Sequence, residues 1–240
     1  MFAPSRPGHK RSNLKAISFP RAILESQAPA LRSKTTKQKM ASTTCAPLFP
    51  DQIMPGIYIS ETEILMNSIQ TAQAVLSPNY QAPNRPRIRY ILSLLNAEHQ
   101  QPKMTPGQES DFVLKLILLR DSSTEDLLQA LGEACEFIKS SLAKKDGGVL
   151  IHCHQGVSRS ASVVTAFVME EMDLEYDTAL RYVRGRRPKV NPNKGFAVQL
   201  EMWRRLRYTI REESGDFKKE YTDFRSAKNI GDAKAEATKW

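Results

Sequence analysis

The sequence predicts an α/β domain in which a central, mostly parallel twisted sheet is flanked by helices. Three observations lead there. Short, strongly apolar runs at 88–95, 113–119 and 149–151 have the length and composition of buried strands. The later runs are followed by helical patterns, one striped and one apolar nearly all round. Beyond residue 172 only helical patterns continue, so strands first alternate with helices and helices then pack alone.

Taken in order, residues 1–50 are rich in Ser, Thr, Pro, Lys and Arg and lack periodic apolar spacing, so they read as a basic disordered extension. The same composition suits a mitochondrial transit peptide, and Met40 can serve as an internal start. Order begins near Asp51, where Ile53, Ile57, Tyr58 and Ile59 flank Pro55-Gly56 as a strand with a turn. Leu65, Ile69, Ala72 and Leu76 then recur at helical spacing. The stretch 96–111, with Pro102, Pro106 and Gly107, reads as a loop between the next two strands.

A helix is expected over 123–145, with Leu127, Leu131, Ala134, Ile138 and Leu142 on one stripe. Glu125 and Asp126 would sit in its first turn, Lys144 and Lys145 in its last, and Gly147 would end it. The short strand 149–151 leads to a central helix over 161–172. Two helices come next, one over 175–184 stopped by Gly185 and Pro188, the other from Asn193 with Phe196, Leu200, Trp203 and Ile210 on one face. A single catalytic domain is thus expected over 51–210, with a charged, loosely held tail over 211–240.

Composition narrows the function classes. With 240 residues, 40% apolar, the chain can bury one good core. Of the net charge of +9, residues 1–50 supply +8, from nine Lys or Arg against Glu25 alone. A basic tail of this kind is not a nucleic-acid groove, and no nucleic-acid partner is expected. No stretch reaches the roughly 18 to 20 continuous apolar residues of a membrane span. The cysteines, Cys45, Cys135 and Cys153, are odd in number and widely spaced, against a disulfide framework or a zinc cluster. A reducing compartment fits, cytoplasmic or nuclear, with mitochondria as the alternative should the N-terminus be a transit peptide. Nothing in the sequence signals an oligomeric state.

Chemistry concentrates in His152-Cys153-His154-Gln155-Gly156-Val157-Ser158-Arg159-Ser160, between the last strand and the central helix. A tight loop at such a junction turns backbone N–H groups and the positive helix end toward whatever it encloses, which is an anion site. A cysteine entering the loop feels the same field, which favours its thiolate, so Cys153 is the candidate nucleophile. Arg159, six positions on, can fold across the loop and meet a phosphate with two parallel donors. Gly156 lets the backbone turn inward.

This loop resembles the signature of the protein tyrosine phosphatase superfamily, and Ser158-Arg159-Ser160-Ala161 is most similar to the dual-specificity phosphatases. Leu118-Leu119-Arg120-Asp121 with Glu125-Asp126-Leu127 resembles that family's general-acid loop, with Asp121 standing 32 residues before Cys153. Arg187-Pro188-Lys189-Val190-Asn191-Pro192-Asn193, with Gly195-Phe196 and Gln199-Leu200, resembles its segment before the last helix. His154 and Lys218-Lys219-Glu220-Tyr221 bring the chain closest to members carrying a C-terminal zinc-binding domain, yet no cysteine follows Cys153 here.

The resemblance implies a phosphatase-like fold and hydrolysis of phosphotyrosine and phosphoserine or phosphothreonine in protein substrates through a cysteinyl-phosphate intermediate. Cys153, Arg159, Asp121 and Ser160 would be catalytic. His154, Gln155, Gly156, Val157, Ser158 and Arg159 would bind the phosphate, with no metal and no cofactor.

Blander readings stand beside these. Asp111 and Asp126 compete with Asp121 as the acid, and Asn193 can serve only as a helix cap. Cys135 lies on an apolar stripe and reads as core. His152 orients rather than reacts, and Arg181, Arg184, Arg186 and Arg187 read as a solvated helix face rather than a second phosphate site. A phosphoinositide or RNA 5′-phosphatase using the same loop, and a phosphoprotein-binding module with little turnover, are the rival functions. A cysteine protease would need a partner histidine, for which only His99 offers itself.

Overall fold

The computed structural model describes residues 50–63, 88–104 and 109–227. The expected N-terminal extension as far as residue 49, the helix carrying Leu65 to Leu76, Pro106 and Gly107 of the long loop, and residues 228–240 lie outside the described residues.

Five strands form one sheet in the order β1-β2-β5-β3-β4. The Pro55-Gly56 turn joins β1 (Asp51–Met54) to β2 (Ile57–Glu61) as an antiparallel pair. The rest of the sheet, β2, β5 (Gly148–Cys153), β3 (Ile88–Leu95) and β4 (Val113–Leu118), is parallel. All six β5 residues are buried, as a central parallel strand demands. Alternation along the strands divides two faces. Tyr58, Ile91 and Leu150 point to one, where Phe112, Ile88 and Met104 join them.

Helices α1 (Leu127–Ala143) and α2 (Arg159–Met172) pack on β5 and on each other, while α3 (Tyr176–Arg184) and α4 (Lys194–Arg205) pack against α2. Helix α2 is the central one, buried continuously from Arg159 to Met169. The expected architecture is therefore the observed one.

Three details differ. α1 starts at Leu127, not near Ser123, because Asp126 caps it by accepting from the Gln129 N–H, and the residues before it form turns. It ends at Ala143, with Lys145 rather than Gly147 taking the left-handed conformation at φ 57°. α4 stops at Arg205, so Ile210 lies beyond its apolar face.

The expected loose tail from Arg211 is also corrected. Arg211 pairs with Phe217 in a short antiparallel bridge, and residues 219–227 are helical. Tyr221 is wholly buried there, because its ring packs on Phe217 and its hydroxyl reaches the start of α1. The ordered domain therefore extends well past residue 210.

In a parallel sheet the carboxyl ends of the strands lie along one edge, where ligands of such folds bind. Here Glu61 is in register with Cys153, Ser93 with His152, and Leu95 with Leu118. The segments that leave this edge, at Thr62, Asn96, Leu119 and His154, build the site.

Candidate active site

Cys153 is the last residue of β5 and only 1% exposed. Its sulfur lies 3.2 Å from the Ser160 hydroxyl, in the first turn of α2. That hydroxyl is a neutral donor in position to stabilise a thiolate at this depth. Between the two residues the chain turns tightly through Gly156, at φ 63°. A Cβ there would lie 2.6 Å from the Ser60 carbonyl oxygen and 2.4 Å from Arg187 Nη2, so only glycine fits.

The N–H groups of Gln155, Gly156 and Val157 find no acceptor among the described residues. The carbonyls explain the orientation. Arg187 Nε donates to Gly156 O at 2.8 Å and Nη2 to Gln155 O at 3.4 Å, while Asn191 N–H donates to Val157 O at 2.9 Å. With the carbonyls held by these donors, the amides are left free for an anion, beside the positive end of α2.

Arg187 is thus not on a solvated face. It is 3% exposed beneath the loop and ion-paired with Asp51 and, at 3.9 Å, Glu61. Sequence reading missed it because its burial comes from β1 and the loop, not from its own helix. Arg184, by contrast, lies nearer the surface and donates to Val190 O and Asn191 Oδ1.

Arg159 is buried, and one corner of its guanidinium is fixed. Nη1 donates to Asn96 Oδ1 at 2.8 Å and to Leu119 O at 3.3 Å. Nε has no hydrogen-bond partner among the described residues, and its nearest charge is Asp121 Oδ2 at 3.9 Å. A buried donor left unpaired is costly, and a phosphate oxygen would satisfy it. Asn96 went unnoticed in the sequence. Its place directly after β3, at the carboxyl edge of the sheet, was the available signal.

His152 is fully buried and bridges two hydroxyls, Ser93 Oγ at 2.7 Å from Nε2 and Thr62 Oγ1 at 3.3 Å from Nδ1. Thr62 in turn donates to Cys153 O at 3.0 Å. Burial pushes the imidazole pKa down to about 4, so it is neutral and orients the strand end rather than reacting. Among the described residues no group of three or more His, Cys, Asp or Glu could hold a metal.

Asp121 reaches the site from the turn after β4. Its Oδ1 accepts from Ser158 Oγ at 2.6 Å and Asn193 Nδ2 at 2.9 Å. It stays partly exposed, so it can meet a substrate oxygen above the loop. Asp126 is occupied as the α1 cap and Asp111 lies before β4, so neither competes for that position. Asn193 caps α4 through Phe196 N–H as well as touching Asp121. Ser158 commits its hydroxyl to Asp121 and to Asn193 N–H, which leaves its backbone for an anion. His154 and Gln155 are exposed at the rim, Val157 is half-buried, and Cys135 is core with its thiol pushed well up by burial.

The acid-bearing turn is pinned by α4. Gly195 lies so close to it that a Cβ would stand 1.9 Å from Ser123 O. The Gln199 amide, 1% exposed, accepts from Leu127 and Leu128 N–H at 2.8 and 3.2 Å and donates to Glu125 O at 2.8 Å. The expected nucleophile, loop amides, arginine fork and acid are thereby held at the carboxyl edge of one sheet, an arrangement that phosphoryl transfer would require.

A family model described as the dual specificity phosphatase catalytic domain matches residues 79–206. Dual specificity protein phosphatase MPK-4 of Drosophila melanogaster is 41% identical over 120 residues, covering 50% of this chain and 30% of that one. Dual specificity protein phosphatase 12 of Homo sapiens is 28% identical over 198 residues, 82% of this chain and 53% of that one. The chain thus spans between about a third and a half of the length of these two relatives. Among solved structures, human tyrosine phosphatase-like serine/threonine/tyrosine-interacting protein superposes with a TM-score of 0.55 at 27% identity, over 65% of this chain and 96% of that one.

Proposed function

The chain belongs to the dual specificity phosphatase family, and on that premise we propose that it hydrolyses phosphotyrosine and phosphoserine or phosphothreonine in protein substrates through a phosphate carried on Cys153. One observation carries this reading. The Cys153 sulfur, 3.2 Å from Ser160 Oγ, opens a loop whose N–H groups at 155–157 are unpaired among the described residues, and the loop ends at Arg159, whose buried Nε is also unpaired and has Asp121 Oδ2 3.9 Å away.

In the first step Cys153 Sγ attacks phosphorus in line, the bond to the leaving oxygen breaks, and Asp121 gives that oxygen its proton. Arg159 and the loop N–H groups hold the three equatorial oxygens as charge spreads over them. In the second step Asp121 takes a proton from water as the water attacks phosphorus. The S–P bond breaks, inorganic phosphate leaves, and the Ser160 hydroxyl stabilises the departing thiolate.

The substrates we propose are phosphorylated proteins, with loop positions 154, 155 and 157 occupied by His, Gln and Val rather than the cations that would favour a multiply charged phosphoinositide. A reducing compartment, cytoplasmic or nuclear, suits a nucleophile that must stay a thiolate. Mitochondrial import is the alternative, and an import assay on the full chain decides between them.

The reading is tested with a panel of phosphopeptides and inositol phosphates and with Cys153→Ser alongside the wild type. Turnover of peptides by the wild type alone, with the variant still binding substrate, is expected. Equal turnover by both proteins, or turnover of the inositol phosphates only, overturns it.

A further inference from the structure

The family model ends at residue 206, and the residues beyond it hold the far end of the turn that carries Asp121. Lys218 Nζ donates to Leu206 O at 2.6 Å and Lys218 N–H to Ile210 O at 2.9 Å, which returns the chain toward the domain. The Arg211 guanidinium covers the Phe217 ring at 4.2 Å, and Phe217 packs on Tyr221 with ring centroids 5.3 Å apart. Tyr221 is 0% exposed, and its hydroxyl donates to Asp126 Oδ2 at 2.8 Å.

Asp126 is a junction. Its Oδ1 caps α1 at Gln129 N–H, 3.2 Å away, while its Oδ2 takes the Tyr221 hydroxyl, with Arg225 Nε at 3.8 Å. The segment from Leu119 to Asp126 is therefore fixed at its start by Arg159 on Leu119 O and at its end by Tyr221 on Asp126, with Asp121 between. Burial and the Asp126 carboxylate push the Tyr221 pKa up to about 12, so the phenol remains a donor at any working pH.

We propose that Tyr221 is a positioning residue for catalysis, which through Asp126 holds the turn bearing Asp121 in the geometry that delivers a proton. The proposal rests on the reading of Asp121 as the general acid. It makes residues 207–227 a working part of the catalytic domain, outside the stretch that the family model matches.

The test is Tyr221→Phe, which keeps the ring and its Phe217 contact and removes one hydrogen bond. Its kcat/KM on a phosphoserine peptide, which reports the step that forms the cysteinyl phosphate, should fall by roughly three- to tenfold, the net scale of one ordinary hydrogen bond. On an aryl phosphate with an acidic phenol, kcat/KM should change by less than about twofold, since that leaving group needs little protonation. In an Asp121→Asn background the same change should add nothing, because the group it positions is gone.

Equal losses on both substrates, or full additivity with Asp121→Asn, would mean that Tyr221 only supports the fold, and the proposal fails. If Asp121→Asn alone shows no dependence on the leaving group, it is the reading of Asp121 that fails. Should Tyr221→Phe not fold, Asp126→Asn replaces it, since an amide has one acceptor oxygen for two donors. The same substrate pattern is expected, and its absence overturns the proposal.

Discussion

The phosphate loop and the acid-bearing turn reach the same point by different means. From His152 to Ser160 the loop carries the proposed nucleophile, cradle and cation within one short run, between β5 and α2. The turn from Leu119 to Asp126 carries one reacting group, and its position depends on Ser158, Asn193, Gly195, Gln199 and Tyr221, the last of them far downstream in the chain. The difference teaches that the groups proposed for binding and attack are contiguous in the chain, although Asn96, Arg187 and Asn191 brace them, whereas the proposed proton donor comes from a separate turn that the tertiary fold brings in. Damage to the two regions should then be told apart by substrate.

The largest effect expected is in Asp121→Asn. Removing a general acid costs about 10²- to 10⁴-fold in rate. A seryl alkoxide is nearly as basic as hydroxide, whose parent water has a pKa of about 15.7, while phenolate from phosphotyrosine has a parent pKa of about 10. Phosphoserine peptides should therefore lose most, phosphotyrosine peptides less, and activated aryl phosphates least. Steady-state kcat/KM across such a series, which reports the step in which the leaving group departs, gives the slope, and a flat slope would break the division between the two regions.

The next effect belongs to the phosphate loop and is read in stability. His152 is neutral in the fold, with its pKa pushed to about 4, against about 6.5 when unfolded. Between these values the unfolded chain binds the extra proton, so stability is fully present above about pH 6.5 and drains away as pH falls toward about 4. The total for this group is about 3 kcal/mol. Denaturant midpoints at several pH values should show it, and His152→Gln should flatten the difference between neutral pH and the acid end of that window. An unchanged slope in the variant would mean that His152 is charged or solvated in the fold.

The smallest of these three effects is in Gly195→Ala, which touches no reacting group. A Cβ at this position meets the Ser123 backbone, so the acid-bearing turn must shift. A loss of roughly tenfold in kcat/KM on phosphoserine peptides is expected, as a misplaced catalytic group costs rate from a distance. The aryl phosphate should change little. Equal losses on both would show that α4 also holds the phosphate loop.

The same contrast explains what the sequence made legible. The phosphate loop was readable because its chemistry lies in adjacent residues and its strand and helix have strong apolar patterns. Asp121 was readable from its resemblance to a known acid-bearing turn, but its contacts were not, since Asn193 reads as a cap and Gln199 is marked only by the resemblance of its segment. Arg187 was misjudged because a run of arginines after a helix looks solvated until the β1 carboxylate and the loop carbonyls close over it. Residues 211–227 escaped because one buried ring, Tyr221, anchors a charged segment with no apolar period to show.

The proposed cysteinyl phosphate is the species on which everything else depends. Asp121→Asn should slow hydrolysis of this intermediate while leaving its formation from an activated aryl phosphate fast. Acid quenching this variant during turnover and mapping its peptides by mass spectrometry should find one phosphoryl group on the peptide containing Cys153, absent from a Cys153→Ser control. Turnover with no phosphoryl group on Cys153, or with the group on another residue, would contradict covalent catalysis by this cysteine.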